Sequence, residues 1–379
     1  MKTLKVALIA GGMYDQLYEC IPEFERESGI SVSIDFRGTH PELNPHLAGM
    51  EQPPYDLVST HTKYAPSQQR FLAPLEGFDV AGFFPALLAL ATIDGALYGI
   101  PRNIDLRLLH YRTDLLNAPP CSWDELREAA RRLSRPPEIY GFVFTGTESG
   151  LFGTFFELAE AAGAHIFPNS LIPEVNNEGG RWALGILRDL YISGAVPKEV
   201  SRWHFDEVHQ FFRNGGAAMV TDWPGYYGSY RADYSSVRDR FRVARMPSGP
   251  LGRVCCYAGS HTFALTRTGA GKEAARLLLR FLTSAERQSI EARQGSVPVR
   301  RIVMEEQQHS ATDQDAERLR LLSRSIETDL IIPPKLSYYP EIEDILWRTV
   351  RTAMIGEIEL GTALEQIERK IAERVAHAA

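Results

Sequence analysis

Cysteine is scarce in this chain. Four occur in 379 residues, at Cys20, Cys121, Cys255 and Cys256. Their spacing fits neither a zinc ribbon nor a Cys-x-x-Cys site, and the adjacent Cys255 and Cys256 cannot pair with each other without backbone strain. Buried or partly buried free thiols are therefore expected. Long apolar runs are also missing: no stretch approaches the ~18 residues of a membrane helix. The apolar run near the start, Val6–Ala10, is too short for the core of a signal peptide. No export signal is expected in the sequence as given. A basic excess is absent too, because the net charge is −7 and the pI about 5.9. The nearest candidate, Arg231–Arg245 with Arg238, Arg240 and Arg242, is interrupted by Asp233 and Asp239. It reads as a solvated edge, and nucleic acid is not expected as a ligand.

Catalytic signatures are lacking as well. There is no Gly-x-Ser-x-Gly, no His-Glu-x-x-His and no Walker A run. Gly269-Ala-Gly-Lys-Glu-Ala274 fits Gly-x-Gly-x-x-Ala, but a lone late match of this kind is weak. His204 and His209 are five apart, so they do not share a helix face as a zinc pair would. No cofactor, metal or enzymatic activity is expected. A carbohydrate-active enzyme, which needs only two suitably placed carboxylates, is the less favoured alternative.

What is present is ordinary globular composition, 44% hydrophobic and 23% charged. A chain of this length splits into two compact domains, since one core rarely grows past about 250–300 residues. Lys5–Ala10 predicts a strand that ends in the Gly11-Gly12 turn. Residues 14–28 carry Leu17, Ile21 and Phe24 at helical spacing, with Pro22 expected to limit or kink the helix. Ser31–Phe36 and Asp56–Thr60 read as further strands, a β-α-β-α-β order that predicts a mostly parallel sheet. Ligands of such sheets sit beyond the carboxyl ends of the strands.

The pattern restarts after the break at Asn117–Pro120. Ser122 and Glu125 form a predicted capping box, and Thr283 and Glu286 a second. Tyr140–Phe144, Phe241–Ala244 and Thr262–Leu265 read as strands. Phe152–Ala162, Gly271–Phe281 and the last 40 residues read as helices, the last with Ile342, Ile345, Leu346, Val350 and Met354 on one stripe.

A series of segments in order resembles the family 1 extracellular solute-binding proteins, the group that includes maltose-binding protein. They are Tyr55–Ser59, Leu72–Leu75, Asp94-Gly-Ala-Leu-Tyr-Gly-Ile-Pro101, Leu108–Tyr111 with Asp114-Leu115, Pro120–Leu126, Phe212–Met219, and Gly295–Pro298 with Arg300. The resemblance implies a two-lobed α/β periplasmic-binding-protein fold of type II. Each lobe would be a mostly parallel sheet flanked by helices, with a ligand cleft at the hinge. The N-terminal lobe would comprise residues 1–110 and 258–308, and the C-terminal lobe 111–257 and 309–379. It further implies the substrate-binding component of an ABC importer that captures a sugar or sugar derivative by hinge closure. The partners would be a small-molecule ligand, most simply a carbohydrate, and the permease subunits of the inner membrane. The protein would work as a monomer, periplasmic or extracellular.

A sugar site needs polar groups for the ring hydroxyls and aromatic faces for the C–H surfaces. Trp223 and Tyr226 follow the Phe212–Met219 segment and are the first candidates for stacking. Trp347 is the next, on the C-terminal helix. The strand-end rule adds Tyr14, Asp15 and Gln16 after the first strand, Arg37 and Thr39 after the second, and Thr60 and His61 at the third. Asn103 and Asp105 follow the Tyr-Gly-Ile-Pro segment. Thr145, Thr147 and Glu148 come from the other lobe, and Gly259, Ser260 and His261 lie at the second crossing. If Arg37, Arg102 or Arg107 enters the site, the ligand could be anionic, since a guanidinium pairs bidentately with oxyanions. The adjacent Tyr226 and Tyr227 leave a ferric-ion binder as a further alternative, and a receptor-linked sensor would share the same fold.

Overall fold

The computed structural model describes residues 3–11, 14–293 and 295–378, with Pro41 described by its backbone only. Gly12 of the predicted Gly-Gly turn lies outside the described residues. The chain divides into two compact units. One comprises Met1–Asp105, Ala258–Glu327 and Lys335–Ser337; the other comprises Leu106–Tyr257, Thr328–Pro334 and Tyr338–Ala379. The third change of unit follows Glu327 and not residue 308. The helix Asp313–Thr328 buries Ala316, Leu319, Leu322 and Ile326, and that apolar stripe keeps nearly all of it with the first unit.

The first unit is built on a five-stranded sheet in the order 31–38, 3–9, 57–61, 261–265, 100–101. Thr3–Ile9 buries Leu4, Val6, Ala7, Leu8 and Ile9, as a central strand covered on both faces must. It pairs in parallel with Ser31–Gly38 and Leu57–His61. The strand His261–Leu265 then runs antiparallel to Leu57–His61, with His261 opposite His61 and Thr262 opposite Thr60. The expected helix over 14–28 is two helices, Asp15–Tyr18 and Ile21–Ser28. Pro22 does not kink a continuous helix. It sits in the first turn of the second one, where its missing N–H costs nothing.

In the second unit the sheet built on Leu108–Arg112 is antiparallel, which corrects the expectation of a mostly parallel one, while Cys256 and Tyr257 pair in parallel with Leu330 and Ile331. Leu108–Arg112 lies between Phe241–Ala244 and Met219–Asp222, with Phe241 opposite Arg112 and Leu108 opposite Asp222. Residues 140–144 join it only through isolated parallel bridges, Tyr140 to Ala217 and Val143 to Val220. The helix Glu148–Ala161 is buried along almost its whole length. It packs against the helices Glu178–Ile192 and Tyr339–Met354.

Helix starts follow the sequence with two corrections. The Ser122 hydroxyl accepts from the Glu125 backbone N–H at 3.2 Å, but the Glu125 carboxylate turns to the Cys121 N–H. At the second predicted box, Ser284 and not Thr283 accepts from the helix, taking the Arg287 N–H, while Thr283 donates back to Leu279 O. All four cysteines are free. Cys255 and Cys256 are buried, whereas Cys121 is exposed, contrary to expectation. No helix among the described residues is long and apolar enough to cross a membrane.

Candidate functional site

The strand ends of the first unit gather histidine. His61 closes the third strand, His261 opens the strand beside it, and the register sets the two directly opposite. His40 begins the helix after the second strand. The three rings lie with centroids 4.9–5.3 Å apart. His40 Nδ1 is 3.0 Å from His261 Nε2, and the Tyr14 hydroxyl is 3.1 Å from His261 Nδ1. Asp105 Oδ2 lies 3.4 Å from the same nitrogen. Asn103 ties the group together: its amide N–H donates to Asp105 Oδ1 at 3.1 Å, and its amide oxygen accepts from the His261 backbone N–H at 3.0 Å. The ligating atoms of His61, Asp105 and His261 all lie within 4.8 Å of one another.

Burial fixes the electrostatics of this cluster. Desolvation first, then the neighbouring imidazoles His261 and His40, then Lys63 and Lys335, hold His61 well below the ordinary 6.5. Desolvation likewise raises the Tyr14 phenol well above its usual range, with Asp105 adding to the shift. The Lys335 ammonium, brought in by the short Lys335–Ser337 segment, is pushed down to about 8 by burial.

Other predicted contacts take supporting places. Ser260 donates to Asn103 O at 2.7 Å and is fully buried. Thr60 is buried and bonded to Gln68. Thr39 caps its helix through Glu42, and Gln16 is exposed. Arg37 pairs with Asp15 at 2.7 Å on the surface.

Gly259 is present for space: a Cβ there would meet His61 Nε2 at 2.6 Å. Gly259→Ala is therefore expected to displace the His61 ring and cost about 1–3 kcal/mol, measured by denaturant unfolding. An unchanged midpoint would show that the ring yields freely.

The two inner arginines are not ligand receptors. Arg102 is enclosed by the rings of Tyr14, Tyr18 and Phe263 at 4.5–5.4 Å and pairs with buried Glu291. Arg107, in the second unit, donates to Thr154 Oγ1 at 2.7 Å and Glu157 Oε2 at 2.6 Å. Each guanidinium is already neutralised by a carboxylate, so the anionic ligand expected if they entered the site loses its basis.

The second unit presents aromatic rings around the start of the helix Glu148–Ala161. Thr145 is buried, its methyl against Gly150. Thr147 donates to Trp203 O at 3.1 Å. Glu148 holds a positive φ of 48° and stays exposed, 3.4 Å from His204. Phe205 meets Trp223 edge-on at 5.6 Å, and the Arg107 guanidinium lies 5.5 Å from the Trp223 ring. Trp223 itself is half-buried. Tyr226 stacks on His209 at 4.1 Å and donates to Asp206 at 3.0 Å. Tyr227 instead packs against Phe241, so the adjacent tyrosines have different surroundings. Trp347 stands half-buried on the helix Tyr339–Met354, its indole N–H donating to Asp344 and Arg348 lying over its ring at 4.5 Å.

Sequence reasoning missed His40 and Lys335. His40 follows Thr39 at a strand end and was open to the same rule. Nothing local marks Lys335, which the fold alone brings to the cluster.

Residues 11–289 match the family described as bacterial extracellular solute-binding protein. The chain belongs to that family. A probable ABC transporter-binding protein of Deinococcus radiodurans is 30% identical over 230 residues, 58% of this chain and 54% of the relative. An arabinooligosaccharide-binding protein of Bacillus subtilis is 21% identical over 188 residues, 48% of this chain and 43% of the relative. This solute-binding protein thus spans about half the length of the curated relatives it matches.

Among solved structures, maltose-bound MalE3 of T. maritima superposes with a TM-score of 0.86 at 24% identity, covering 98% of this chain and 99% of that one. A ribitol complex from Agrobacterium radiobacter gives 0.81 at 21%, covering 98% of each chain. These likenesses establish the fold of the two-lobed solute-binding proteins. The family's role is to bind a solute, not to transform it.

Proposed function

We propose that the protein is the substrate-binding component of an ABC importer and that its solute is a sugar or polyol. The observation that carries this reading is the state of the aromatic rings in the second unit. Trp223, Tyr226 and Trp347 are each half-buried and are held in place by a neighbouring ring or carboxylate. Rigid, half-exposed rings suit the C–H faces of carbohydrates. The histidine cluster of the first unit, with Asn103, Asp105 and Tyr14, supplies donors and acceptors for hydroxyls. Family membership supports the reading, as do relatives described as binding arabino-oligosaccharide, maltose, ribitol, D-mannitol and α-D-tagatose. The permease subunits are the proposed partners, the working form is a monomer, and the place of action is outside the cytoplasmic membrane.

The test is a tryptophan-fluorescence titration with maltose, maltotetraose, arabinose oligomers, ribitol, mannitol and tagatose. One ligand class is expected to saturate the signal. Trp223→Ala should then weaken that ligand about tenfold, the worth of one good stacking contact. Equal affinity in wild type and variant would remove Trp223 from the site.

A further inference from the structure

We propose that His61, Asp105 and His261 form a binding site for a divalent transition-metal ion, with zinc as the natural probe. Two imidazoles and a carboxylate are a donor set that zinc accepts, and three protein ligands leave a fourth position for water or a ligand oxygen.

The geometry assembles these donors from strand ends. His61 and His261 face each other across the antiparallel pair, and Asp105 reaches them from the segment after Ile100–Pro101. All three ligating atoms lie within 4.8 Å of one another, against a spacing of about 3.3 Å around tetrahedral zinc. Small side-chain rotations close that gap.

The surroundings already hold the ligands as metal sites require. Asp105 keeps one oxygen on the Asn103 amide while the other faces His261. Asn103 also fixes the His261 backbone, and His40 stands 3.0 Å from His261 Nε2 as a further nitrogen donor or orienting partner. Binding gives up one contact of His261, the Tyr14 hydroxyl at Nδ1 (3.1 Å) or His40 at Nε2 (3.0 Å), and at His61 at most the Lys63 N–H bond to Nδ1, at 3.1 Å. The charges of Lys63 and Lys335 near His61 oppose a second cation, which places the affinity below that of closed structural zinc sites. The inference stands on the first unit alone; Asp105 and the histidines are also proposed to meet solute hydroxyls, so zinc uptake is read in the absence of solute.

The experiment uses the untagged full-length chain, stripped with a chelator and titrated with zinc against a chromophoric competitor. One zinc per chain is expected. His261→Ala and Asp105→Asn should each weaken it on the order of 100-fold, with thermal melts confirming that the variants fold. Asp105→Asn is isosteric at a half-exposed side chain, so it keeps the test meaningful if His261→Ala does not fold. Cobalt in place of zinc should give the intense visible bands of a four-coordinate site, lost in the same variants. His165 and Glu160 form a surface pair at 2.9 Å in the other unit, and His165→Ala should leave zinc binding unchanged. Failure to take up zinc, retention of full affinity by Asp105→Asn, or loss of the site in His165→Ala would overturn the proposal.

Discussion

Replacing Arg107 by Ala is expected to destabilise the second unit by about 3–5 kcal/mol near pH 8, the usual cost of stripping one partner from a buried ion pair. Arg107 and Glu157 are each 1% exposed. The guanidinium serves Gly150 O, Thr154 and Glu157 together, and the second Glu157 oxygen accepts the Tyr257 N–H at 3.0 Å. Without Arg107 the Glu157 carboxylate must either stay charged in an apolar interior or take up a proton, at a cost that grows with pH.

The loss should depend on pH. Burial raises Glu157 from 4.5 to about 7, against the opposing pull of Arg107 and its hydrogen bonds. The native state therefore binds a proton more tightly than the unfolded chain between those values. Its contribution to stability is full below about 4.5, falls as pH rises to about 7, and is flat beyond. Glu157→Gln should flatten that slope. Removing Arg107 lets Glu157 protonate more readily, so the penalty of Arg107→Ala should shrink toward pH 5. Denaturant unfolding at several pH values reads both effects. A penalty independent of pH would mean that Glu157 stays charged throughout.

The second large effect is expected at Arg102. Arg102→Ala should cost the first unit about 3–5 kcal/mol and leave the unfolding of the second unit unchanged. Three aromatic faces surround the guanidinium, and it bonds to Tyr18 at 2.7 Å and to Glu291. Arg102→Lys is not expected to rescue it, because an ammonium cannot reproduce the planar stacking and the forked contacts. Tyr14 packs against both Arg102 and His261, so the same variant should loosen the histidine cluster and weaken solute binding. Two resolved calorimetric transitions, with only one displaced, would establish the effect. A shift of both would show that the pair supports the whole chain.

These two arginines also mark where sequence stops being informative. The strand order and the C-terminal helices were legible because apolar periodicity is local, as at Ile342, Leu346, Val350 and Met354, all buried. Trp223 and Tyr226 follow the strand Met219–Asp222, whereas Trp347 lies within the helix Tyr339–Met354. Whether an arginine faces a ligand or a buried carboxylate depends on a partner far away in the chain. Glu157 and Glu291 carry no local sign of that role. Thr60 and Ser260 sit at strand ends as the rule requires, yet their hydroxyls are spent on Gln68 and Asn103. Thr262–Leu265 reads as a strand in the sequence, but nothing local gives its antiparallel pairing with Leu57–His61. That pairing is what joins His61 to His261. In the second unit, Tyr140–Phe144 has a strand's composition but makes only single bridges, because its neighbours engage it at two points and not along a ladder.

A thermal-shift screen of the purified chain against neutral sugars, oligosaccharides, polyols and sugar acids tests the central claim most directly. A ligand at 100 times its Kd stabilises the native state by about 2.7 kcal/mol. The expected result is a clear rise in melting temperature with one sugar or polyol class, reduced in Trp223→Ala. A rise with a non-carbohydrate solute, and none with any sugar or polyol, would contradict it.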